Sequence, residues 1–596
     1  MGKPKLLVGL GSCGIAAGGQ AVYDFLKEKL DGKADVETTS CIGMCFAEPL
    51  VEVISNDNGD IFGGKRTLFG YVDTDFAGEI AQGALSGSLP EKNRVRESEE
   101  GRAYLPKQVK VALRNCGVIN PEKIEDYLAT GGYKAIEKCL NEYKSEEVIE
   151  IIKESGLAGR GGAFFPTAKK WAIFAANKAA EGKHKYLVCN ADEGDPGAFM
   201  DRALIEGDPH GLIEGMLIAA YATGADYGYV YCRAEYPLAI RRLQIAIAEA
   251  EKRNLLGKNI LGKDFSFNLR IKEGAGAFVC GEETALMASI MGRRGMPTLK
   301  PPFPAESGIN ECPTNINNVE TYINVPFIIT KGPAEFNKYK SGKNRVTIGT
   351  KVFALAGKIK RAGLVEIPVG LTIRELVEDI GGGSSTGRPL KAVQMGGPSG
   401  GCIPESMFDI PIDVESVTAT GAIMGSGGFI VMDDQTCMVD VAKYFLTFVQ
   451  SESCGKCTFC RVGTKRMLEI LERITEGKGQ EEDIERIEKL AAHIKKTSLC
   501  ALGQLAPNPV LTTMKYFKNE YEAHIKDKKC PAKVCKSLIK YEILKEKCVG
   551  CGACARGCPV KAISGEAKKV YSIDAEKCTR CGLCRDTCKF SAIEVN

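Results

Sequence analysis

Eight cysteines close the chain in two runs of the same spacing: Cys548, Cys551, Cys554 and Cys558, followed by Pro559, then Cys578, Cys581, Cys584 and Cys588. Thiolates spaced C-x2-C-x2-C-x3-C wrap a 4Fe-4S cube, and in tandem runs the fourth cysteine of each serves the other cube. The spacing therefore predicts Cys548, Cys551, Cys554 and Cys588 on one cluster, and Cys578, Cys581, Cys584 and Cys558 on the other. A pair of zinc knuckles is the alternative, and two complete tandem runs argue against it. Lys589 stands where a proline is usual, a departure that touches no ligand. Upstream, Cys454, Cys457 and Cys460 with the distant Cys500 repeat the pattern for a third 4Fe-4S cluster, again with zinc as the alternative. His524, Cys530 and Cys535 are spaced H-x5-C-x4-C. An imidazole and two thiolates suit zinc. No fourth ligand is evident, and ordinary linker residues are the other reading.

A second kind of chemistry lies nearer the middle. Gly156-Leu157-Ala158-Gly159-Arg160-Gly161-Gly162-Ala163 is a loop whose glycines let backbone N–H groups approach a phosphate, with Lys170 close behind. By itself such a loop is as often a structural turn. It is followed, in order, by Asn190-Ala191-Asp192-Glu193-Gly194-Asp195, by Cys280-Gly281-Glu282-Glu283-Thr284, by Lys300-Pro301-Pro302-Phe303-Pro304, and by Asn315-Ile316-Asn317-Asn318-Val319-Glu320-Thr321.

These residues need elements to position them. Near the N-terminus, a strand over Leu6–Leu10 leads to Cys13, and a helix over 21–30 buries Val22, Phe25, Leu26 and Leu30. A second strand leads into Cys41 and Cys45, and further strands fall near 51–54 and 68–72, completing a compact α/β unit by about residue 90. Residues 91–103 are charged and read as a linker. Residues 105–155 are helical in pattern, and 156 to about 335 alternate strands and helices. Residues 345–430 form short glycine-rich strands, and 436–525 are helical again. Residues 515–547 carry ten lysines against five acids, a basic linker before the last cysteines. Cys116, Cys139, Cys189, Cys232, Cys280, Cys312, Cys402 and Cys437 are isolated and read as small buried hydrophobes.

The bulk numbers exclude several classes. With 596 residues the chain holds several domains. A formal net charge of +4 argues against a nucleic-acid partner. No apolar run is long enough to span a bilayer. Leu10-Gly11-Ser12-Cys13 resembles a lipoprotein cleavage box, but the apolar run before it is too short for export, and Leu6 stands where myristoylation wants Ser or Thr. Twenty-five cysteines in ligand-like clusters point to a reducing, cytoplasmic location.

Over roughly residues 105–520 the ordered motifs resemble the flavoprotein subunit of respiratory complex I. The resemblance implies FMN and a nicotinamide dinucleotide in one cleft with a 4Fe-4S cluster nearby. It places Gly159, Arg160, Gly161, Gly162 and Lys170 on the FMN phosphate, and Asn190, Asp192 and Glu193 on the flavin and its ribityl chain. Gly281, Glu282 and Glu283 would form a turn beside the flavin, and Asn317, Asn318 and Thr321 would add flavin contacts. Phe165, Lys300 and Phe303 would face the dinucleotide, and Glu283 and Asp195 are the acidic residues expected nearest the transfer. Phe164, Ala168, Asp195 and Phe278 depart from the usual residues on the dinucleotide side, leaving the choice of NADH or NADPH open. No general acid or base is required for hydride transfer to a flavin.

The N-terminal unit resembles thioredoxin-like 2Fe-2S ferredoxins, whose ligands come as C-x4-C and C-x3-C. Cys41 and Cys45 supply the second pair, and only Cys13 remains of the first. The missing partner would fall at Val8 or Gly18. Ser12, Ser40 or another neighbouring group would have to complete a 2Fe-2S centre; otherwise the unit serves only in docking. The 345–430 module resembles the β-grasp insertion of the same flavoproteins.

The combination resembles the β subunit of multimeric FeFe hydrogenases. It implies an α/β multidomain chain: a thioredoxin-like domain (1–92), an FMN and NAD(P)-binding domain (104–338), a β-grasp-like module (345–432), a helical 4Fe-4S domain (436–522), a hinge (523–540) read as zinc-bound or plain, and a double-cubane ferredoxin domain (541–596). The implied partners are a catalytic hydrogenase subunit, a small thioredoxin-like 2Fe-2S subunit and soluble ferredoxin, in a hetero-oligomer that moves electrons between NAD(P)H, FMN, ferredoxin and the hydrogenase. Some members of that family do so by flavin-based electron bifurcation. The alternatives are the β subunit of an NAD(P)-dependent formate dehydrogenase, and a ferredoxin-docking electron-transfer protein.

Overall fold

The computed structural model describes residues 3–55, 63–343 and 346–596. It divides into two compact units, Met1–Val431 with Leu499–Leu502, and Met432–Ser498 with Gly503–Asn596. Each is taken by itself.

The first unit begins with a four-stranded sheet. Strand β1 (Lys5–Gly9) runs parallel to β2 (Asp35–Thr39) and antiparallel to β3 (Val51–Ser55), which pairs with β4 (Lys65–Phe69). Helix α1 (Gly19–Lys29) buries Val22 and Leu26 against it, and α2 (Thr74–Ser86) buries Phe76, Ala77 and Ile80. Asp73 caps α2 by accepting from the Phe76 amide at 2.8 Å, satisfying one of the free N–H groups of the first turn.

A second, all-parallel sheet forms the centre of this unit. Its elements follow in chain order as α3 (Thr167–Ala176), β5 (Tyr186–Ala191), α4 (Pro209–Thr223), β6 (Tyr227–Arg233), β7 (Asn268–Gly274), α5 (Glu283–Ile290), β8 (Thr314–Asn318) and α6 (Val319–Lys331). The strand order is β7-β6-β5-β8. All three pairings are parallel, so every strand ends at the same edge. Helix α4 is apolar on all sides and almost wholly buried, as a helix without a polar face must be. Pro209 opens it, Asp208 caps it by accepting from the Gly211 amide, and Gly224 ends it with φ 72°.

A third sheet follows, of β9 (Thr350–Gly357), β10 (Gly363–Pro368), β11 (Leu390–Met395), β12 (Gly401–Pro404) and β13 (Gly428–Asp433), in the order β10-β9-β13-β11-β12. Its core is shared with Met44, Ala47 and Leu50 from the N-terminal segment.

The charged stretch expected as a linker is instead packed. Val95 is buried, and its amide donates to Leu68 O. Tyr104 is fully buried, with its hydroxyl 2.8 Å from Gly43 O and 2.7 Å from Leu364 O. Just beyond, Glu366 accepts from the backbone amides of Val111, Ala112 and Leu113, each at 2.9 Å. The charge that marks the segment as solvent-loving sits on its exposed positions, while a few buried polar atoms tie it to the third sheet.

In the second unit, helices α7 (Met438–Ser451), α8 (Thr464–Thr475), α9 (Asp483–Thr497) and α10 (Asn508–Tyr516) precede a small tail with two antiparallel strand pairs, Tyr541–Ile543 with Ile593–Val595 and Ile563–Ser564 with Ser572–Ile573. The basic segment between them is also ordered. Lys518–Glu522 continues as a wider turn over Ala523–Asp527, with His524 fully buried. Its lysines point outward while Tyr521, His524, Cys530 and Cys535 point in, so the lysine excess misreads it as a loose linker.

Candidate functional site

The carboxyl edge of the parallel sheet gathers most of the expected flavin residues. Strands β5 and β8 are neighbours, and their last paired residues are Asn190 and Asn318. The chain leaves β5 toward β6 on one side while β8 flanks it on the other. That reversal is where open parallel sheets form their ligand crevice.

The glycine loop lies at this edge. The Gly159 amide donates to Phe165 O at 2.9 Å, closing the loop, and the Arg160 amide donates to Thr321 Oγ1 at 2.9 Å. Arg160 is buried, its guanidinium held by Ala158 O and Ile348 O, while its Nε has no partner among the described residues. A Cβ on Gly161 would sit 3.1 Å from Asn318 Cβ, and Gly162 has φ 111°, a conformation side chains rarely adopt. Helix α3 starts directly behind the loop without a side-chain cap, so first-turn amides remain for an anion. Above Gly281 there is room, since a Cβ there would meet nothing closer than Asp192 O at 3.7 Å. An open floor of glycine backbone and an uncapped helix fit a phosphorylated ring ligand, while the Arg160 guanidinium itself packs over Phe336 and braces the loop from below.

Other expected contacts serve the scaffold. Glu282 caps α5, accepting from the amides of Thr284 and Ala285 at 2.9 and 3.0 Å. Asn317 Oδ1 accepts from Trp171 Nε1 at 3.0 Å and from Asn315 Nδ2 at 2.9 Å. Asn318 caps α6 through the Glu320 amide at 2.9 Å. Asn190 bonds Gly281 O at 2.9 Å and accepts from the Asp192 amide at 3.0 Å, holding two of the motifs together. The buried Glu193 accepts from the amides of Asp201 and Arg202, both at 3.0 Å, and burial raises its pKa against those bonds.

At the outer rim, Glu283 lies between two lysines, 3.3 Å from Lys170 Nζ and 2.5 Å from Lys300 Nζ. Burial opposes its charge, but Lys170 and Lys300 outweigh that and hold the carboxyl below its usual range. Phe165 and Phe303 are both about half exposed, as rings awaiting a stacking partner would be. Asp195 accepts from Ser426 Oγ at 2.8 Å, and enclosure pushes it up to about 6.

The tail contains two apolar cavities. One is lined by Cys548, Cys551, Cys554 and Cys588 with Ile543, Val549, Phe590 and Ile593. The other is lined by Cys558, Cys578, Cys581 and Cys584 with Pro559 and Val560. The fourth cysteine of each run thus lines the cavity of the other run, and four thiols in a dry pocket suit an iron–sulfur cube. Cys454, Cys457 and Cys460 lie on the turn that leads into α8, where Cys460 is buried and 3.3 Å from Ser453 Oγ. Cys500 immediately precedes the helix Ala501–Leu505.

The second unit also brings His524, Cys530 and Cys535 together and adds Cys437, the residue that begins α7. Their four ligand atoms lie within 4.8 Å of one another, and all four residues are buried. Cys437 Sγ is 3.4 Å from His524 Nε2 and 3.7 Å from Cys535 Sγ, and His524 Nε2 is 3.3 Å from Cys535 Sγ. A tetrahedral zinc with bonds of about 2.0–2.3 Å sets such edges at roughly 3.5–3.7 Å. His524 Nδ1 faces Glu520 O at 2.7 Å, which leaves Nε2 for a metal. The neighbouring thiols Cys437 and Cys535 drive the Cys530 pKa down, while Cys530 and Cys535 drive Cys437 up. The expectation that Cys437 is an isolated hydrophobe is corrected here. It lies 87 residues from His524, and no local spacing could have singled it out.

At the N-terminus, Cys41 and Cys45 are 3.6 Å apart, and the Gly43 amide donates to Cys41 Sγ at 3.3 Å. The nearby Cys45 thiol, and then Arg202 at 3.8 Å, hold Cys13 down to about 7 against its burial. Both serine candidates are engaged. The Ser12 amide and hydroxyl donate to Glu206, and Ser40 Oγ accepts from the Gly117 amide at 3.1 Å. Glu48 is an unforeseen neighbour. Burial pushes it up to about 7, against the Cys41 thiol beside it.

Residues 152–327 match the Nuo51 FMN-binding domain, 440–524 the iron–sulfur binding region of NADH-ubiquinone oxidoreductase-F, and 542–595 a 4Fe-4S dicluster domain. The NADP-reducing hydrogenase subunit HndC of Solidesulfovibrio fructosivorans is 56% identical over 463 residues, 78% of this chain and 93% of that one. The F 2 subunit of the NADH-quinone oxidoreductase of Rhizobium meliloti is 48% identical over 421 residues, 71% of this chain and 99% of that one. The chain belongs to this family of NADH-quinone oxidoreductase F-type and hydrogenase subunits. An NAD+-reducing NiFe hydrogenase, solved in its H2-reduced state, superposes with a TM-score of 0.61 at 28% identity, covering 88% of this chain and 84% of that one. The chain is thus a mixed α/β protein with an FMN-binding domain and 4Fe-4S domains. Among the described residues no helix is long and apolar enough to cross a membrane.

Proposed function

We propose that the chain is the diaphorase subunit of a cytoplasmic, NAD(P)-linked hydrogenase complex. The observation that carries this is one chain holding both the glycine-floored crevice at the edge of the parallel sheet and the paired four-cysteine cavities of the tail. In the crevice Gly159–Gly162, Arg160 and Lys170 would hold the FMN phosphate. Asn190, Asp192 and Glu193 would line the ribityl chain. Bound there, FMN would take a hydride from a nicotinamide as an electron pair and release electrons singly to iron–sulfur centres. Glu283 and Lys300 form an ion-paired rim that can position a dinucleotide, and Phe165 and Phe303 offer faces for its adenine.

The cysteine sets would hold three 4Fe-4S clusters. Cys13, Cys41 and Cys45 would anchor a 2Fe-2S centre in a thioredoxin-like head, and Cys437, His524, Cys530 and Cys535 would hold one zinc. The partners would be a catalytic hydrogenase subunit, a small 2Fe-2S subunit and soluble ferredoxin, with bifurcation at the flavin as the fullest form of the activity.

The test is anaerobic purification of the full chain with its co-purifying partner, followed by flavin analysis and NADH- and NADPH-dependent dye reduction. One FMN per chain and dye reduction are expected. Gly161→Val should evict FMN, because its side chain would enter the crevice floor. Full flavin occupancy in that variant would show the loop to be misassigned, and a molybdenum-containing partner would point to a formate dehydrogenase instead.

A further inference from the structure

We propose that Glu48 supplies the fourth protein ligand of the N-terminal centre, beside Cys13, Cys41 and Cys45. This rests on the reading that the head holds a two-iron cluster.

The positions at which spacing would place the missing thiol cannot ligate. Val8 is fully buried in the core of the N-terminal sheet, and a side chain on Gly18 would point into open space. Ser12 and Ser40 are committed elsewhere. Glu48 is 9% exposed and lies against Cys41, within the field of Cys13. Its Oε2 accepts from the Leu50 amide at 3.0 Å, while its Oε1 is buried with no partner among the described residues. A buried carboxylate oxygen left unpaired is costly, and structures rarely retain one without a function.

Glycine backbone lies beside it, although Gly14 is fixed first by the Gly9 carbonyl, which a Cβ there would meet at 2.2 Å. The carboxylate lies over the end of β1, where a Cβ on Gly9 would stand 3.4 Å and one on Gly14 3.1 Å from Oε2. Gly9, one residue from Val8 where C-x4-C spacing wants a thiol, thus lies against the carboxylate. Carboxylate oxygen is a competent ligand for iron, and it carries the same single charge as the thiolate it replaces, so the charge balance of the cluster is kept. The spread of the ligands also fits two metal ions. Among the described residues, only the Cys437 group has all its ligand atoms within 4.8 Å of one another. Cys41 and Cys45 are 3.6 Å apart, Cys13 lies beside Cys45 and Glu48 beside Cys41, a run of neighbours that two bridged irons could share.

The test uses the full chain loaded with 57Fe under anaerobic conditions, read by iron and FMN content and by Mössbauer spectroscopy. Wild type should hold about 14 irons, with one ferric site showing the higher isomer shift of mixed oxygen and sulfur ligation. Glu48→Cys should keep the iron and move that site into the all-thiolate range. Glu48→Gln should lose about two irons while FMN, the control for folding, stays bound. If Glu48→Gln keeps every iron with an unchanged spectrum, Glu48 is no ligand but the head still carries a cluster. If wild type holds about 12 irons and Cys41→Ser changes nothing, both the ligand and the cluster reading fall.

Discussion

The molecule contains two small cysteine sites that solve the same problem differently. In the second unit Cys437, His524, Cys530 and Cys535 already converge on one point, buried, with edges of 3.3–3.7 Å. At the N-terminus Cys41 and Cys45 form a close pair, Cys13 lies beside Cys45 and Arg202, and a carboxylate lies beside Cys41. A single ion demands one tetrahedron, so a closed site is recognised by convergence alone. A two-iron centre spreads its ligands over two tetrahedra, so its completeness has to be argued from which buried atoms lack partners.

The contrast can be broken most sharply at the closed site. Replacing Cys437 by Ala, or His524 and Cys530 together by Ala, should drop zinc from about one per chain to none while cluster iron is unchanged. Zinc bound there would supply folding free energy, so its loss should destabilise the second unit by several kcal/mol, read by calorimetry. If Cys437→Ala retains a full zinc, the site is not the four-ligand clip described. The matching change at the head, Cys41→Ser, should remove about two irons and leave zinc in place, by metal analysis. A loss of both metals would mean that the sites are not independent.

The tail extends the comparison to the sites proposed to pass electrons onward. Cys551→Ser or Cys581→Ser should leave NADH-to-dye reduction near wild type and cut electron exchange with ferredoxin by about tenfold or more. Loss of dye reduction in a folded, FMN-loaded variant would contradict that order. The smallest effect is expected at the crevice rim. Glu283→Ala and Lys300→Ala should raise the KM for NAD(P)H by roughly tenfold, about 1.4 kcal/mol, with FMN retained. An unchanged KM with lost flavin would move Glu283 and Lys300 from the dinucleotide to the flavin.

Local spacing made the cysteine runs, the glycine loop and the periodic helices legible, because each is a relation among residues a few positions apart. The strands of the head fell within a few residues of expectation: Leu6–Leu10 is Lys5–Gly9, and the strand expected at 68–72 is Lys65–Phe69. Relations across the chain were not legible. Cys437 joins its site over 87 residues, Tyr104 reaches Leu364 over 260, and Glu366 reaches Val111 over 255. Composition misled in the two charged segments, because a handful of inward-facing side chains fixes a stretch whose other residues look soluble. Among the expected flavin contacts, Glu282 and Asn317 show a different gap: motif resemblance marks their positions, while their hydrogen bonds go to a helix cap and a neighbouring side chain.

The single hydroxyl of Tyr104 has a bearing on how the chain can be dissected. It stands between the carbonyl of Gly43, inside the Cys41–Cys45 loop, and that of Leu364 on β10, in a fully buried setting that solvent does not reach. Cutting away the first ninety or so residues would strip the phenol of one acceptor, expose the face of Val365 and Ile367 that packs in the same core, and unseat the strand on which Glu366 gathers its three amides. A deletion of the head would thus report on a damaged flavoprotein as much as on a missing metal centre. The proposed metal centre of the head is better tested by exchanging single side chains such as Cys41, which leaves the seam at Tyr104 sewn.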